Sequence, residues 1–100
     1  MMQKHYFYVL VCADKTLYAG YTVDLVRREQ EHNLGNGAKY TALLKRRPVK
    51  IIYSEEYDTR SAAMQREATF KQLSRVDKIN FLQKQKIDLS FVMGTDVVKS

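Results

Sequence analysis

The chain of 100 residues has one cysteine, one proline, four glycines and no tryptophan. A lone Cys12 excludes an internal disulfide and reads as a small buried hydrophobe. His5 and His32 are too far apart in the chain to offer a zinc-ligand spacing. With Pro48 as the only proline, neither a linker nor a low-complexity segment is present, and no internal repeat is visible. No apolar run approaches the ~20 residues of a membrane span, and the apolar part of MMQKHYFYVLVCADK is too short, and ends in charge too soon, for a signal peptide. The expectation is a cytoplasmic protein with no membrane partner.

What is present is the composition of a soluble globular domain, 45% hydrophobic and 28% charged. A single domain of this length buries about 60–70% of the surface that its unfolded chain exposes, which leaves room for one modest core and one site. The net charge is +6. Between Arg27 and Lys50, seven cations (Arg27, Arg28, Lys39, Lys45, Arg46, Arg47 and Lys50) stand against two glutamates, Glu29 and Glu31, a local surplus of five. Such a patch either contacts a polyanion, whose counterions it releases, or is a set of solvated helix faces.

Tyr6 to Cys12 and Thr16 to Thr22 are rich in aromatic and β-branched residues, and Ala13-Asp14-Lys15 between them reads as a hairpin turn. Thr22 or Asp24 caps a helix to about Asn33, which LGNG then stops. A second helix, AKYTALLKR, is broken by Pro48. VKIIYSEEY follows as a third strand, with Val49, Ile51 and Tyr53 on one side and Lys50, Ile52 and Ser54 on the other. Asp58 or Thr59 caps a helix from Arg60 to Leu73, and Ser74 with Asp77 opens a last helix to about Lys86. The expected architecture is α/β of the α+β kind: a three-stranded antiparallel sheet flanked by helices, in the order β-β-α-α-β-α-α. The domain covers residues 1–86. The tail 87–100, with Phe91, Val92, Met93, Val97 and Val98, reads equally as a packed end, an oligomer contact or a disordered segment.

Three features call for explanation. Glu67 has Ala63, Met64 and Phe70 among its helical neighbours, so it borders an apolar face and needs a cation, either Lys71 or Arg66 as an ion-pair partner or a metal. Arg28 and His32, four residues apart, project from one helix face, which suits a grip on a phosphate and equally an ordinary solvated face. Tyr6, Tyr8, Tyr18, Tyr21 and Tyr40 add phenols to the same region, where strand tyrosines mostly pack.

Taken together, a strand ending in Tyr18-Ala19-Gly20, Arg28 ten residues after Tyr18, His32 four further on and Glu67 on a later helix resemble the GIY-YIG nuclease family. Tyr6-Phe7-Tyr8 is similar to its first triplet, without the glycine and isoleucine, and Tyr18-Ala19-Gly20 to its second, with alanine replacing isoleucine. The similarity runs from about Tyr6 to Leu82, and is strongest toward a branch of small stand-alone bacterial members. It implies Tyr8 and Tyr18 as site tyrosines, Arg28 as phosphate-binding arginine, His32 as its helix neighbour and Glu67 as ligand of one Mg²⁺ or Mn²⁺ ion. With Arg27, Lys39, Tyr40, Lys45, Arg46 and Arg47 as nucleic-acid contacts, the expected activity is hydrolysis of DNA phosphodiester bonds. Sequence specificity would be low and guided by branched or nicked structure, in repair or recombination.

Tyr18 is the favoured base and Tyr8 a positioning donor, an assignment that can be reversed. Either role requires both phenols on one face of the hairpin, hence an odd-length loop or a bulge. A two-residue turn at Asp14-Lys15 would pair Val11 with Tyr18 and send Tyr8 to the other face. Gly20 is expected to let the chain turn closely into the following helix. The rival readings are a nucleic-acid-binding module without catalysis, and an interaction protein working through its apolar tail.

Overall fold

In the computed structural model, which describes residues 3–87 and residue 89, the elements run β1 (His5–Val11), β2 (Leu17–Thr22), α1 (Leu25–Asn33), α2 (Lys39–Ala42), β3 (Lys50–Tyr57), α3 (Arg60–Lys71) and α4 (Arg75–Lys84). The order is the expected one. The antiparallel sheet is ordered β2-β1-β3, so the apolar first strand lies at its centre. All of the tail but Ile87 and Leu89 lies outside the described residues; those two pack on the core.

Period-two alternation gives β1 two different faces. Phe7, Val9 and Val11 meet Phe70 of α3 and Ile79 and Leu82 of α4, forming the main core. Tyr8, Leu10 and Cys12 point the other way, among Tyr18, Leu25, Tyr40, Val49 and Ile51. Cys12 is buried, as expected.

The helix starts follow from side-chain caps. Asp24 accepts from the Arg27 amide at 3.1 Å, Thr59 from the Ala62 amide at 3.1 Å and Ser74 from the Asp77 amide at 3.1 Å. These bonds satisfy amides that have no partner in a first helical turn. Two side chains of α1 also hold β3: Glu29 accepts from the Ile51 amide at 2.7 Å, and Asn33 accepts from the Val49 amide at 2.6 Å.

The hairpin loop has three residues. Cys12 and Thr16 close it, the Cys12 amide donating to the Thr16 carbonyl at 2.9 Å, and Lys15 takes a left-handed φ of 69°. A turn followed by one left-handed residue is a common way to close an odd loop. Its effect is a register that pairs Tyr8 with Gly20 and Leu10 with Tyr18. The odd loop therefore puts Tyr8 and Tyr18 on one face of the sheet.

Three expectations need correction. The second helix ends at Ala42, well before Pro48; Leu43 is extended and a single 3-10 turn, Leu44–Arg46, follows. The carbonyls at the end of α2 are taken by arginine side chains: Arg46 donates to Tyr40 at 3.1 Å and Arg47 to Ala42 at 3.0 Å. In β3 the simple alternation fails. Val9 pairs with Tyr53 and Leu10 with Ile51, so Ile52 is the extra residue of a β-bulge, and Ile52 and Tyr53 both pack on the main core. Gly20, finally, lies inside β2 and makes no turn. A Cβ there would lie 2.6 Å from Cζ of Tyr8, so the missing side chain makes room for the phenol that lies over it.

Gly20→Ala should therefore destabilise the protein by about 1–3 kcal/mol in urea denaturation, since the Tyr8 ring must leave a close-packed position. Unchanged stability would mean that the ring is free to move aside.

Candidate active site

Tyr8 and His32 are both completely buried, at 0% exposure. The register brings the phenol over Gly20, and α1, capped by Asp24, delivers Arg28 and His32 to the same place. The Tyr8 hydroxyl lies 2.7 Å from Nε2 of His32, and Nδ1 of His32 lies 2.7 Å from Oγ1 of Thr41 in α2. Arg28 Nε donates to the Tyr8 oxygen at 3.3 Å, and the Thr41 hydroxyl reaches the Ala38 carbonyl at 3.3 Å.

The ends of this chain fix its direction. A guanidinium only donates and a carbonyl only accepts. One assignment gives every proton an acceptor: Arg28 donates to Tyr8, Tyr8 to Nε2 of His32, Nδ1–H of His32 to Thr41, and Thr41 to Ala38. The opposite tautomer would leave the Tyr8 proton without an acceptor among the described residues. The protonation states agree. Burial, with Arg28 opposing, pushes the Tyr8 phenol up to about 12. Burial and then the Arg28 charge lower His32 to about 4, against the pull of Glu31. At neutral pH the phenol holds its proton and the imidazole is uncharged.

Arg28 is further fixed by donating to Glu31 at 3.1 Å and to the Gly37 carbonyl at 2.7 Å. Of its five N–H donors, two, one on each terminal nitrogen, have no partner among the described residues. An open depression of about 350 Å³ beside it is lined by Tyr21, Asp24, Arg27, Arg28 and Glu31.

Tyr18 belongs to the same cluster: its ring meets His32 edge-on at 5.5 Å and stacks on Tyr40 at 5.4 Å. Its hydroxyl has no hydrogen-bond partner among the described residues. Glu67 comes in from α3, which packs on edge strand β2. Its side chain is 16% exposed and ion-paired with Lys71 at 2.8 Å, and the Lys71 ammonium lies 5.3 Å from the Tyr18 ring. The negative charge of Glu67 contributes to raising the Tyr8 pKa. Of the two structural partners expected for Glu67, the structure selects Lys71; Arg66 binds Glu55 instead, at 2.9 Å.

A metal at Glu67 would have a single protein carboxylate to hold it. Among the described residues no group of three metal-ligating side chains forms. A half-buried carboxylate of this kind fits a hard ion such as Mg²⁺ or Mn²⁺ that draws most of its ligands from water and substrate phosphate, with Lys71 giving way to it. It does not fit an ion that requires a cage built by the protein.

The basic residues separate into two sets. Arg27 is exposed and paired with Glu31 at 3.3 Å, and Lys39 and Lys45 are exposed. Arg46 and Arg47 are tied inward: Arg46 lies 3.8 Å over the Tyr40 ring and pairs with Asp14 at 3.2 Å, and Arg47 clasps the Asn33 and Ala42 carbonyls. Thr41 and Gly37 belong to the site although sequence patterns do not single them out. A buried threonine in a four-residue helix has no periodic signature, and Gly37 acts through its backbone carbonyl.

With this geometry in view, comparison with known proteins is decisive. The family model of the GIY-YIG catalytic domain matches residues 4–80. The chain belongs to the GIY-YIG family. This is a family of nuclease type, and GIY-YIG domains act on DNA. A UPF0213 protein of Enterococcus faecalis is 53% identical over 81 residues, covering 81% of this chain and 92% of that protein. One from Pediococcus pentosaceus is 54% identical over 85 residues, covering 85% of this chain and 87% of that protein. Two solution NMR structures have a similar GIY-YIG fold. A UPF0213 protein of Bacillus halodurans has a TM-score of 0.52 at 36% identity, over 80% of this chain and 83% of that one. An E. faecalis protein has a TM-score of 0.56 at 52% identity, over 83% of this chain and 86% of that one. Among the described residues no helix is long and apolar enough to cross a membrane.

The buried His32 makes the stability of this GIY-YIG domain pH-dependent. Unfolded, it binds a proton near pH 6.5; folded, only near 4. Between those values the unfolded chain holds more protons, so stability falls as the pH is lowered through that window, by about 3 kcal/mol when fully developed. Urea denaturation from pH 7 to 4 should show this loss, and His32→Gln should flatten it; an equally steep profile in the variant would assign the effect to other groups.

Proposed function

We propose that this protein is a metal-assisted endonuclease hydrolysing DNA phosphodiester bonds with low sequence specificity. The observation that carries the reading is the one-directional hydrogen-bond chain from Arg28 through Tyr8 to His32 and Thr41. The two free N–H donors of Arg28 hold non-bridging oxygens of the scissile phosphate in a charge-assisted fork. The Tyr8 oxygen is covered in the structure, so substrate binding must first admit the attacking water to it; the water then gives its proton to the Tyr8 oxygen while the Tyr8 proton passes to Nε2 of His32. The new O–P bond forms as the bond to the leaving oxygen breaks; the leaving oxygen takes a proton from water, and His32 returns its proton through Tyr8 once the products leave. Thr41 keeps Nδ1–H in place, so the imidazole receives the proton in a fixed orientation. A divalent ion held by Glu67 would supply charge neutralisation at the leaving oxygen when bound.

This reading makes Tyr8 the relay, in place of the Tyr18 base favoured by the sequence. A base needs somewhere to pass its proton, and of the two phenols only Tyr8 has an acceptor behind it among the described residues. The Tyr18 hydroxyl has no partner among the described residues and would meet the substrate. Lys71 pairs with Glu67 at 2.8 Å and would give way when the ion and the substrate arrive.

The test is cleavage of supercoiled, nicked and branched DNA with Mg²⁺ or Mn²⁺. Tyr8→Phe and His32→Gln should each lower the rate by about 10²–10⁴-fold, and the double variant should lose little more, because the two act as one unit. Multiplying losses would refute the relay. Glu67→Gln should bind DNA without cutting it. Metal-independent silence of the wild type, with binding retained, would support a binding module instead.

A further inference from the structure

The corner next to the site combines apolar exposure with unopposed positive charge. Leu34 is 71% exposed, Leu43 48% and Leu44 79%. Arg47 ties this corner together by donating to the carbonyls of Asn33 at 3.3 Å and Ala42 at 3.0 Å, the residues immediately before Leu34 and Leu43. Lys39 and Lys45 are exposed on the same segments, and from His32 through Ser54 the chain carries no carboxylate. The corner is continuous with the site, because Thr41 of α2 bonds His32 and Gly37 bonds Arg28.

We infer that this leucine corner contacts exposed bases where the stacking of DNA is interrupted, as at a gap or a branch, while Lys39 and Lys45 hold the flanking phosphates. The inference rests on the reading that the protein acts on DNA. Leucine gains nothing from a phosphate; it gains by covering an apolar base face, which an intact duplex keeps inside its stack. The corner carries no carboxylate, and the Asn33 side chain is taken up by the Val49 backbone; the leucines themselves read no base edge, so their contribution distinguishes structure and not sequence. A second copy of the chain is a poor occupant. A symmetric contact would set lysines against lysines with no acid between them.

The test measures binding of fluorescent continuous duplex, gapped duplex and three-way-junction DNA without divalent ions, across a salt series. The wild type should prefer the interrupted substrates. Leu34→Ser/Leu44→Ser, at exposed positions where folding is spared, should lose about tenfold of that preference while still binding continuous duplex. Lys39→Ser/Lys45→Ser should weaken binding to all substrates and reduce the salt slope by about two. An unchanged preference in the leucine variant overturns the inference and leaves the DNA reading standing. Failure of the wild type to bind any DNA defeats the DNA reading itself. Loss of self-association, or of binding to anionic vesicles, in the leucine variant as its only change would assign the corner to another partner and also overturn the inference.

Discussion

The structure depends on the meeting, at 2.7 Å, of two polar groups that are both wholly removed from water, the phenol of Tyr8 and the imidazole of His32. Burying either alone would cost on the order of several kcal/mol. Each is tolerated inside because the other completes it, and because Arg28 and Thr41 close the two ends. The backbone provides the space. The odd hairpin loop puts the phenol on the right face, Gly20 leaves a gap for its ring, and the Cβ absent at Gly37 would lie 2.7 Å from Cγ of the imidazole. A structure that meets all these conditions for one hydrogen bond has committed much of its small interior to it.

Most of the framework is legible in the residues. Aromatic and β-branched runs mark the strands, and the capping side chains mark three of the helix starts. Tyr8, Tyr18, Arg28, His32 and Glu67 are recognisable as a set only through the resemblance to the GIY-YIG family, and four of the five meet in one cluster, with Glu67 at its border. Hairpin parity is less accessible. The same three residues, Ala13, Asp14 and Lys15, allow a two- or three-residue loop, and the choice rests on a left-handed Lys15 that no local signal announces. The bulge at Ile52 is hidden for a similar reason: an alternating apolar strand looks regular until its partner imposes a register. Arg46 and Arg47 mislead in another way, because charge counts do not distinguish a guanidinium facing solvent from one holding carbonyls.

The ion pairs share a pattern. Arg28 faces Glu31, Glu67 faces Lys71, Arg46 faces Asp14 and Arg66 faces Glu55. Glu55 shows the structural extreme. Burial pushes its carboxyl up, but the hydroxyls of Tyr53 and Tyr57 and the Arg66 guanidinium outweigh that and hold it below the usual carboxylate range. That cluster fastens β3 to α3, on the main-core side of the sheet. The Arg28–Glu31 pair is reinforced by the bonds of Arg28 to Tyr8 and Gly37, whereas in the Glu67 pair only Lys71 is well exposed and Glu67 is as covered as Glu55. Within one small domain, the same chemistry thus fastens two elements in one place and lines the candidate site in another.

The two faces of β1 carry a further consequence. Phe7 and Val9 fill the core while Tyr8 between them bonds His32, so there is no interval of backbone between what stabilises the protein and what is proposed to give it chemistry. A change in packing at either neighbour moves the strand and the phenol together. Drift in the core is therefore felt at the candidate site, even from positions that do not border it. Tolerance to substitution from Phe7 to Val11 is expected to be low at every residue, for alternating reasons.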